Sequence, residues 1–359
     1  MASDAPRIGG TGTRPTLDSV AAAAGVSRMT VSNAYNHPDQ LSASTRALVL
    51  ETARQLGYQG PDPTAASLRL GRTGTVGVVL TERLPYAFAD PGMVSILHGI
   101  ATELSSAGNA LMLVPSCRPD GQSLLRHAMV DGLILCGIDG ADTSVEAALA
   151  RHLPVVTVGS PRLAGTPWVG IDNRRAAGLV ADHLFSLGHR RFNVITTTVG
   201  EKGASHPLFA QRVGGFRDSL LKSGVCWDDI EVVCAVENSR AAGCLLGREL
   251  LVRRAKRRST ALFAVTDILA LGVLDAATEL EAAVPGDLSV VGFDGISESA
   301  TSTPPLTTIS QGLFSQGNLA ARLMLQLIAG ESPRARRFAG KLEIRASTGC
   351  PNKSLLSSR

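Results

Sequence analysis

From residue 75 onward the chain repeats one pattern. A short apolar run is followed by a polar or glycine-containing turn and then by a stretch with helical spacing. The runs fall at 76–80, 110–114, 132–136, 155–158, 192–195, 231–234, 261–265 and 288–292. Strands that are apolar throughout, rather than alternating, are buried on both faces, and the helices between them supply the cover. This predicts parallel α/β sheets. About 270 residues of it exceed what one doubly wound sheet uses, so two similar lobes are expected. The first helix of the series spans 93–107 and stops at Gly108.

Composition supports a folded chain. Of 359 residues, 44% are hydrophobic and 18% charged, which excludes wholesale disorder. No run approaches the ~18 apolar residues of a membrane span, so no membrane partner is expected. The first ten residues lack a hydrophobic signal region, which points to a cytoplasmic protein. Six cysteines occur without a Cys-x-x-Cys pair. In a reducing compartment they read as small buried hydrophobes. A net charge of +4 is too small to argue for nucleic acid by itself.

That argument comes from residues 14–59, which follow a Gly- and Thr-rich flexible leader at 1–13. Thr16 can cap a helix whose apolar face is Leu17, Val20, Ala21 and Ala24, and Gly25 stops it. Ser27 can cap a second helix carrying Val31, Ala34 and Tyr35. Residues 36–39 read as a turn. A third helix is expected over 42–57, with Ala47, Leu48, Leu50, Ala53 and Leu56 apolar. The first two helices have helix-turn-helix spacing: small Ala21 lets them cross, and Gly25 accepts the positive φ of the turn. Arg28, Met29 and Asn33 then project into one groove, where Arg suits guanine, Asn adenine and Met a thymine methyl. Thr16, Ser27, Thr30, Ser32, Asn36, Ser44 and Thr45 offer phosphate contacts, which position without specifying. Four basic and three acidic residues in 14–59 make one such unit a weak DNA binder, so two on a dimer are expected.

These residues resemble a known family. The segments 17–21, 24–27, 30–32, 44–46 and 56–58, together with Asn36, look like the headpiece of LacI–GalR transcription regulators. The likeness continues through 169–173, 183–191, 212–216, 266–272, 290–294, 304–309 and 345–348. It implies an N-terminal all-α helix-turn-helix headpiece plus hinge helix, and a C-terminal α/β two-lobed periplasmic-binding-protein-like core. The expected divisions are 1–13, leader; 14–59, headpiece; 60–73, hinge helix and linker; 74–349, effector-binding and dimerisation domain; 350–359, tail. The resemblance further implies a homodimer on a near-palindromic double-stranded operator, with Leu68 as a minor-groove wedge. The chain departs from the family at 58–66, where the hinge has one extra residue, at Asn33 in place of Arg, and at Thr266 in place of Asn.

A small effector is expected in the cleft of the core, where polar residues follow strands. Arg212 can fork onto hydroxyls or a carboxylate, and Asp294 can accept hydroxyl hydrogens; both fall on the family's effector contacts. Asp172 follows its strand in the same way. Tyr86 and Phe88, after the first core strand, can stack on a ring. Asn238, where relatives often carry an aromatic, suggests a polar floor. A sugar or glycoside is the default effector by resemblance. The run at 253–258 reads as a solvated basic connector. There is no P-loop, no Gly-x-Gly-x-x-Gly after a strand, no Gly-x-Ser-x-Gly elbow and no zinc spacing. No cofactor, no metal and no enzyme activity are therefore expected. The reading is a DNA-binding regulator, most simply a repressor. The alternatives are a corepressor-dependent regulator of non-sugar metabolism, or a cytoplasmic solute-binding protein with a silent headpiece.

Overall fold

The computed structural model describes residues 15–60, 71–80, 84–115, 124–197, 206–252 and 259–352, with every side chain in them except that of Tyr86. They fall into two units divided between Thr73 and Gly74. The leader, the hinge segment with Leu68, the basic run at 253–258 and most of the tail lie outside the described residues.

The first unit is built on three helices, α1 (Leu17–Ala24), α2 (Arg28–Asn36) and α3 (Ala43–Leu56), each started by a hydroxyl cap. Thr16 accepts from the Ser19 N–H at 3.3 Å while the Ser19 hydroxyl accepts from the Thr16 N–H at 2.8 Å. Ser27 and Ser42 each accept from the third residue of their helices at 3.1 Å. Gly25 adopts φ +65°, which turns the chain between α1 and α2. The core is small: Val20, Ala21, Val31, Ala34, Val49 and Ala53 are buried. The buried stripe of α3 differs from the expected one. Val49 and Ala53, four residues apart, face inward, while Leu48 and Leu56 are 50% and 41% exposed and Ala47 and Leu50 are exposed too. So small a core has room for one narrow stripe, and the small residues allow α1 to approach.

The second unit carries two lobes. Lobe 1 has a parallel sheet in the order β2 (Ala110–Pro115), β1 (Thr75–Leu80), β3 (Gly132–Cys136), β4 (Val155–Val158), β5 (Trp168–Ile171) and β11 (Arg336–Phe338). Lobe 2 has a parallel sheet in the order β7 (Ile230–Ala235), β6 (Phe192–Thr197), β8 (Ala261–Ala264) and β9 (Ser289–Val291). The central strands β3, β4, β6 and β8 are buried along their whole length, as expected of parallel strands covered on both faces, although β4 and β6 also bury the polar residues Thr157, Asn193, Thr196 and Thr197.

The chain crosses between the lobes three times. It leaves lobe 1 after β5 through α7 (Asn173–Ser186), which packs on α8 (Pro207–Lys222) in lobe 2. It returns through β10 (Thr308–Ser310) into α12 (Leu313–Ile328), which packs on α5 (Pro91–Ser106), and adds β11 to the first sheet. It crosses again to β12 (Lys341–Glu343), antiparallel to β10. The α5–α12 contact is backbone-close: a Cβ on Gly99 would stand 2.1 Å from the Phe314 carbonyl oxygen, and one on Gly317 2.0 Å from that of Ile96. Of the described cysteines only Cys136 is buried; Cys226, Cys234 and Cys350 are exposed and Cys244 is half-buried. Cys350 is a bystander near the chain end, whereas Cys226, Cys234 and Cys244 depart from the expectation of small buried hydrophobes. Cys234 lies on β7, an edge strand exposed over much of its length.

His189 ties the base of lobe 2 together. Its Nδ1 lies 2.8 Å from Thr260 Oγ1, and its Nε2 3.1 Å from Ser289 Oγ and 2.9 Å from the Gly349 carbonyl. Burial pushes its pKa down to about 4. Between the ordinary value near 6.5 and 4, the unfolded chain therefore binds a proton that the folded chain does not. The His189 contribution is intact above pH 6.5 and falls as pH drops, by about 3 kcal/mol in total by pH 4. Urea midpoints from pH 7 to pH 4 should fall less steeply in His189→Gln than in the parent; parallel slopes would show that other groups carry the acid sensitivity.

Candidate functional site

In the first unit, α2 presents an outward face at its start. Arg28 is exposed, with Nε 3.5 Å from Asp18 Oδ1, and Met29 is 67% exposed. A Met side chain left in water has no packing role to explain it. Asn33, one turn further on and half-buried, donates through Nδ2 to Gln40 Oε1 at 3.2 Å. It keeps Oδ1 and one Nδ2 hydrogen, the pair an adenine edge needs. Two of the hydroxyl residues expected at phosphates act as caps, and three more bond to a cap hydroxyl. Thr16 and Ser27 start α1 and α2; the Thr30 hydroxyl lies 2.9 Å from Ser27 Oγ, and those of Ser44 and Thr45 lie 3.0 and 2.8 Å from Ser42 Oγ. Ser32 is buried and accepts from Asn36 Nδ2 at 3.3 Å, so Asn36 rather than Ser32 faces solvent.

In the second unit a cavity of about 130 Å³ opens between the lobes. Its floor is apolar, with Leu80, Met93, Val158 and Phe209 among the lining residues. The polar side is organised by Arg212, 4% exposed on α8. Arg212 Nε donates to Asn173 Oδ1 at 3.0 Å; Nη1 donates to the Val265 carbonyl at 2.6 Å and to Asp294 Oδ1 at 3.1 Å. Its guanidinium stacks 4.0 Å from the Phe293 ring centre. These contacts use Nε and Nη1 and leave Nη2 outside them. Gln311 Nε2 also donates to Asp294 Oδ1, at 2.6 Å, so both bonds fall on one carboxylate oxygen and Oδ2 takes part in neither. Arg212 and Asp294 thus offer a donor and an acceptor side by side, both lining the cavity.

Asp294 is held there at a conformational cost. Its φ is +140°, a region that side chains avoid at roughly 1–3 kcal/mol. Two features over-determine it. The Asp294 N–H donates to the Ile309 carbonyl at 2.9 Å. Buried Asp267, at the start of α10 (Asp267–Glu279), accepts from the N–H groups of Gly295 and Ile296 and from the hydroxyls of Ser299 and Thr308. Burial raises the Asp294 pKa, Arg212 opposes the rise, and Asp267 and Asp90 add to it.

Of the other expected cleft residues, Asn238 is buried, lines the cavity and accepts from Thr266 Oγ1 at 2.6 Å. Asp172 does not line it: it caps α7, accepting from the Arg175 N–H, and pairs at 3.7 Å with Arg337. Phe88 does not line it either. Residues 84–89 form a helix, α4 (Leu84–Ala89), that turns Ala87 inward and leaves Phe88 63% exposed. The Tyr86 side chain lies outside the described residues. Sequence reasoning missed Asp90, His206, Gln311 and Gln316, all of which line the cavity. Asp90 had a signal, a carboxylate just before Pro91 at a helix start; Gln311 and Gln316 had none.

The model for "Bacterial regulatory proteins, lacI family" matches residues 16–60, and that for "Periplasmic binding protein-like domain" matches residues 181–348. An HTH-type transcriptional regulator of Mycobacterium tuberculosis is 37% identical over 330 residues, covering 87% of this chain and 91% of that protein. The chain belongs to the LacI family. This regulator is also 31% identical to the Escherichia coli repressor CytR, over 94% of this chain and 97% of CytR. A solved complex of the regulator CelR with cellobiose matches with a TM-score of 0.62 at 30% identity, over 93% of this chain and all of that one. This LacI-family chain is a DNA-binding transcriptional regulator with an effector-binding domain. Among its described residues no helix is long and apolar enough to cross a membrane.

Proposed function

We propose that this regulator is a repressor that binds a near-palindromic operator as a homodimer. Arg28, Met29 and Asn33 read bases in each half-site. Thr16, Ser27, Thr30, Asn36, Ser44 and Thr45 lie toward the phosphates, and Leu68 wedges the minor groove from the 60–73 hinge. The ligand is a small polyhydroxylated molecule, a sugar or glycoside, held between the lobes. The observation that carries this reading is the Arg212–Asp294 pair, whose Nη2 and Oδ2 are left over from the internal bonds. A donor beside an acceptor matches two neighbouring hydroxyls. Asp90 brings a second carboxylate to the same cavity from lobe 1. Closing the lobes on such a ligand changes operator affinity by a coupling of ~1–3 kcal/mol.

The test is to mix the full-length chain with sheared DNA from its source, sequence what it retains, and repeat with a panel of neutral sugars and polyols. A recovered near-palindrome lost on adding one panel member supports the reading. A palindrome recovered only in the presence of a panel member makes the ligand a corepressor. A palindrome indifferent to the whole panel removes the polyhydroxyl ligand, and no enrichment even at low salt removes the operator.

A further inference from the structure

At the rim of the cleft the two lobes are joined by a direct bond that effector recognition, as derived above, does not use. His206 precedes Pro207 and is therefore extended, at φ −60° and ψ 135°, and Pro207 opens α8 in lobe 2. The imidazole stands where a hydroxyl or carboxylate usually caps. Its Nδ1 accepts from the Leu208 N–H at 3.3 Å. A ring nitrogen that accepts carries no hydrogen, so in the neutral ring the hydrogen sits on Nε2. Nε2 donates to the Gly137 carbonyl at 2.6 Å. Gly137 follows β3 and is fixed within lobe 1, where its own N–H donates to the Val158 carbonyl at 3.0 Å. The cap inside one lobe thus sets the tautomer that bonds the other.

Three further observations fit this role. The ring is 8% exposed, and burial holds its pKa below the ordinary value, which keeps it neutral. Leu208, two residues on, meets the same lobe again: a Cβ on Gly159 would stand 3.1 Å from Leu208 Cδ1. His206, Leu208, Gly137 and Gly159 all line the cavity, so both contacts lie on its wall.

We propose that the first turn of α8 is a clasp, with His206 as its bond, that holds the lobes closed over the cleft and sets how readily the cleft opens to load and release ligand. Its regulatory consequence rests on the reading of this cleft as the effector site. His206→Asn in the full-length chain isolates the clasp from the cap. The Asn oxygen still caps α8, but the shorter amide cannot reach Gly137. Hydrogen exchange should then quicken by about fivefold at Gly137 and Ile138 in lobe 1 and at the start of α8, the factor that one net hydrogen bond gives an opening equilibrium. Exchange inside α8 at 213–220 should stay at the parent rate. Leu208→Ala, which thins the second contact, should act in the same direction. Unchanged exchange at Gly137 and Ile138 in both variants would overturn the clasp, and so would quickening spread evenly along α8, which reports a lost cap. Faster exchange at the rim together with shifted operator affinity supports the whole proposal. Faster exchange at the rim with operator affinity unmoved supports the clasp and removes the link between this cleft and DNA.

Discussion

Changing Arg212 to Met should abolish the effector response and cost the core about 3–5 kcal/mol, the usual penalty for removing one partner of a buried pair. Both side chains are buried, at 5% and 13% exposure, and Arg212 is the cation that opposes the rise in the Asp294 pKa. Burial already raises that pKa to about 8 with Arg212 in place, and without it the folded chain holds the proton to still higher pH, where the unfolded chain has released it. A raised carboxyl pKa gives stability that is present at low pH and lost as pH rises. Parent and variant therefore lose stability alike up to about pH 8, and the deficit against the parent should widen only above it, read from urea midpoints between pH 7 and pH 9. Operator binding without effector should survive at pH 5, because the reading face lies in the other unit. Since Arg212→Met can simply unfold, Arg212→Met with Asp294→Leu separates stability from recognition. Two apolar side chains in place of a buried pair are often neutral for stability, so the double variant should recover most of the midpoint and none of the effector response. A double variant that still releases operator on adding whichever panel sugar releases the parent would show that the ligand does not bind through this pair.

The same pair shows where sequence reasoning reaches and where it stops. Arg212 and Asp294 were legible because each lies in a recognisable segment and their chemistry suits hydroxyls; Asp294 follows a buried strand, whereas Arg212, expected just before a helix, lies within α8. Their mutual bond was not legible. It joins a residue of α8 to one in the loop after β9, and only the folded backbone sets their separation. Asp172 had the same local signature as Asp294, a carboxylate directly after a buried strand. In its case the following helix starts at once and takes the carboxylate as its cap. Asp294 instead lies past the end of β9 with no helix starting at it, and the residue after it, Gly295, is held by Asp267. Phe88 failed for a geometric reason: one residue along a helix turns a side chain by about 100°, and Ala87 took the inward place. The hydroxyl caps of α1 and α2 and the central strands were legible because they depend on near neighbours or on short, largely apolar runs. The late crossings were not, because β10, β11 and β12 are three-residue strands without a periodicity of their own.

Exchanging Asn33 for Ala should erase discrimination at one base position of each half-site and leave the rest of the operator preference intact. The amide has one hydrogen committed to Gln40, and its remaining donor and acceptor match an adenine edge. Loss of a bidentate base contact is worth roughly 1–3 kcal/mol of discrimination, or about 5- to 150-fold in relative affinity for the preferred against the substituted base. Because Asn carries no charge, the dependence of affinity on salt should keep its slope. Arg28→Ala should behave differently. It removes a charge as well as a base contact, so preference should relax at a second position and affinity should become less sensitive to salt. Thr45→Val, on the face expected at phosphate, should weaken binding evenly across sequences without relaxing any position. Binding selections at two salt concentrations separate these patterns. If Asn33→Ala lowers affinity evenly for every sequence, the residue positions α2 rather than reading a base. The departure from the family's arginine at this position would then have no bearing on which operator this regulator selects.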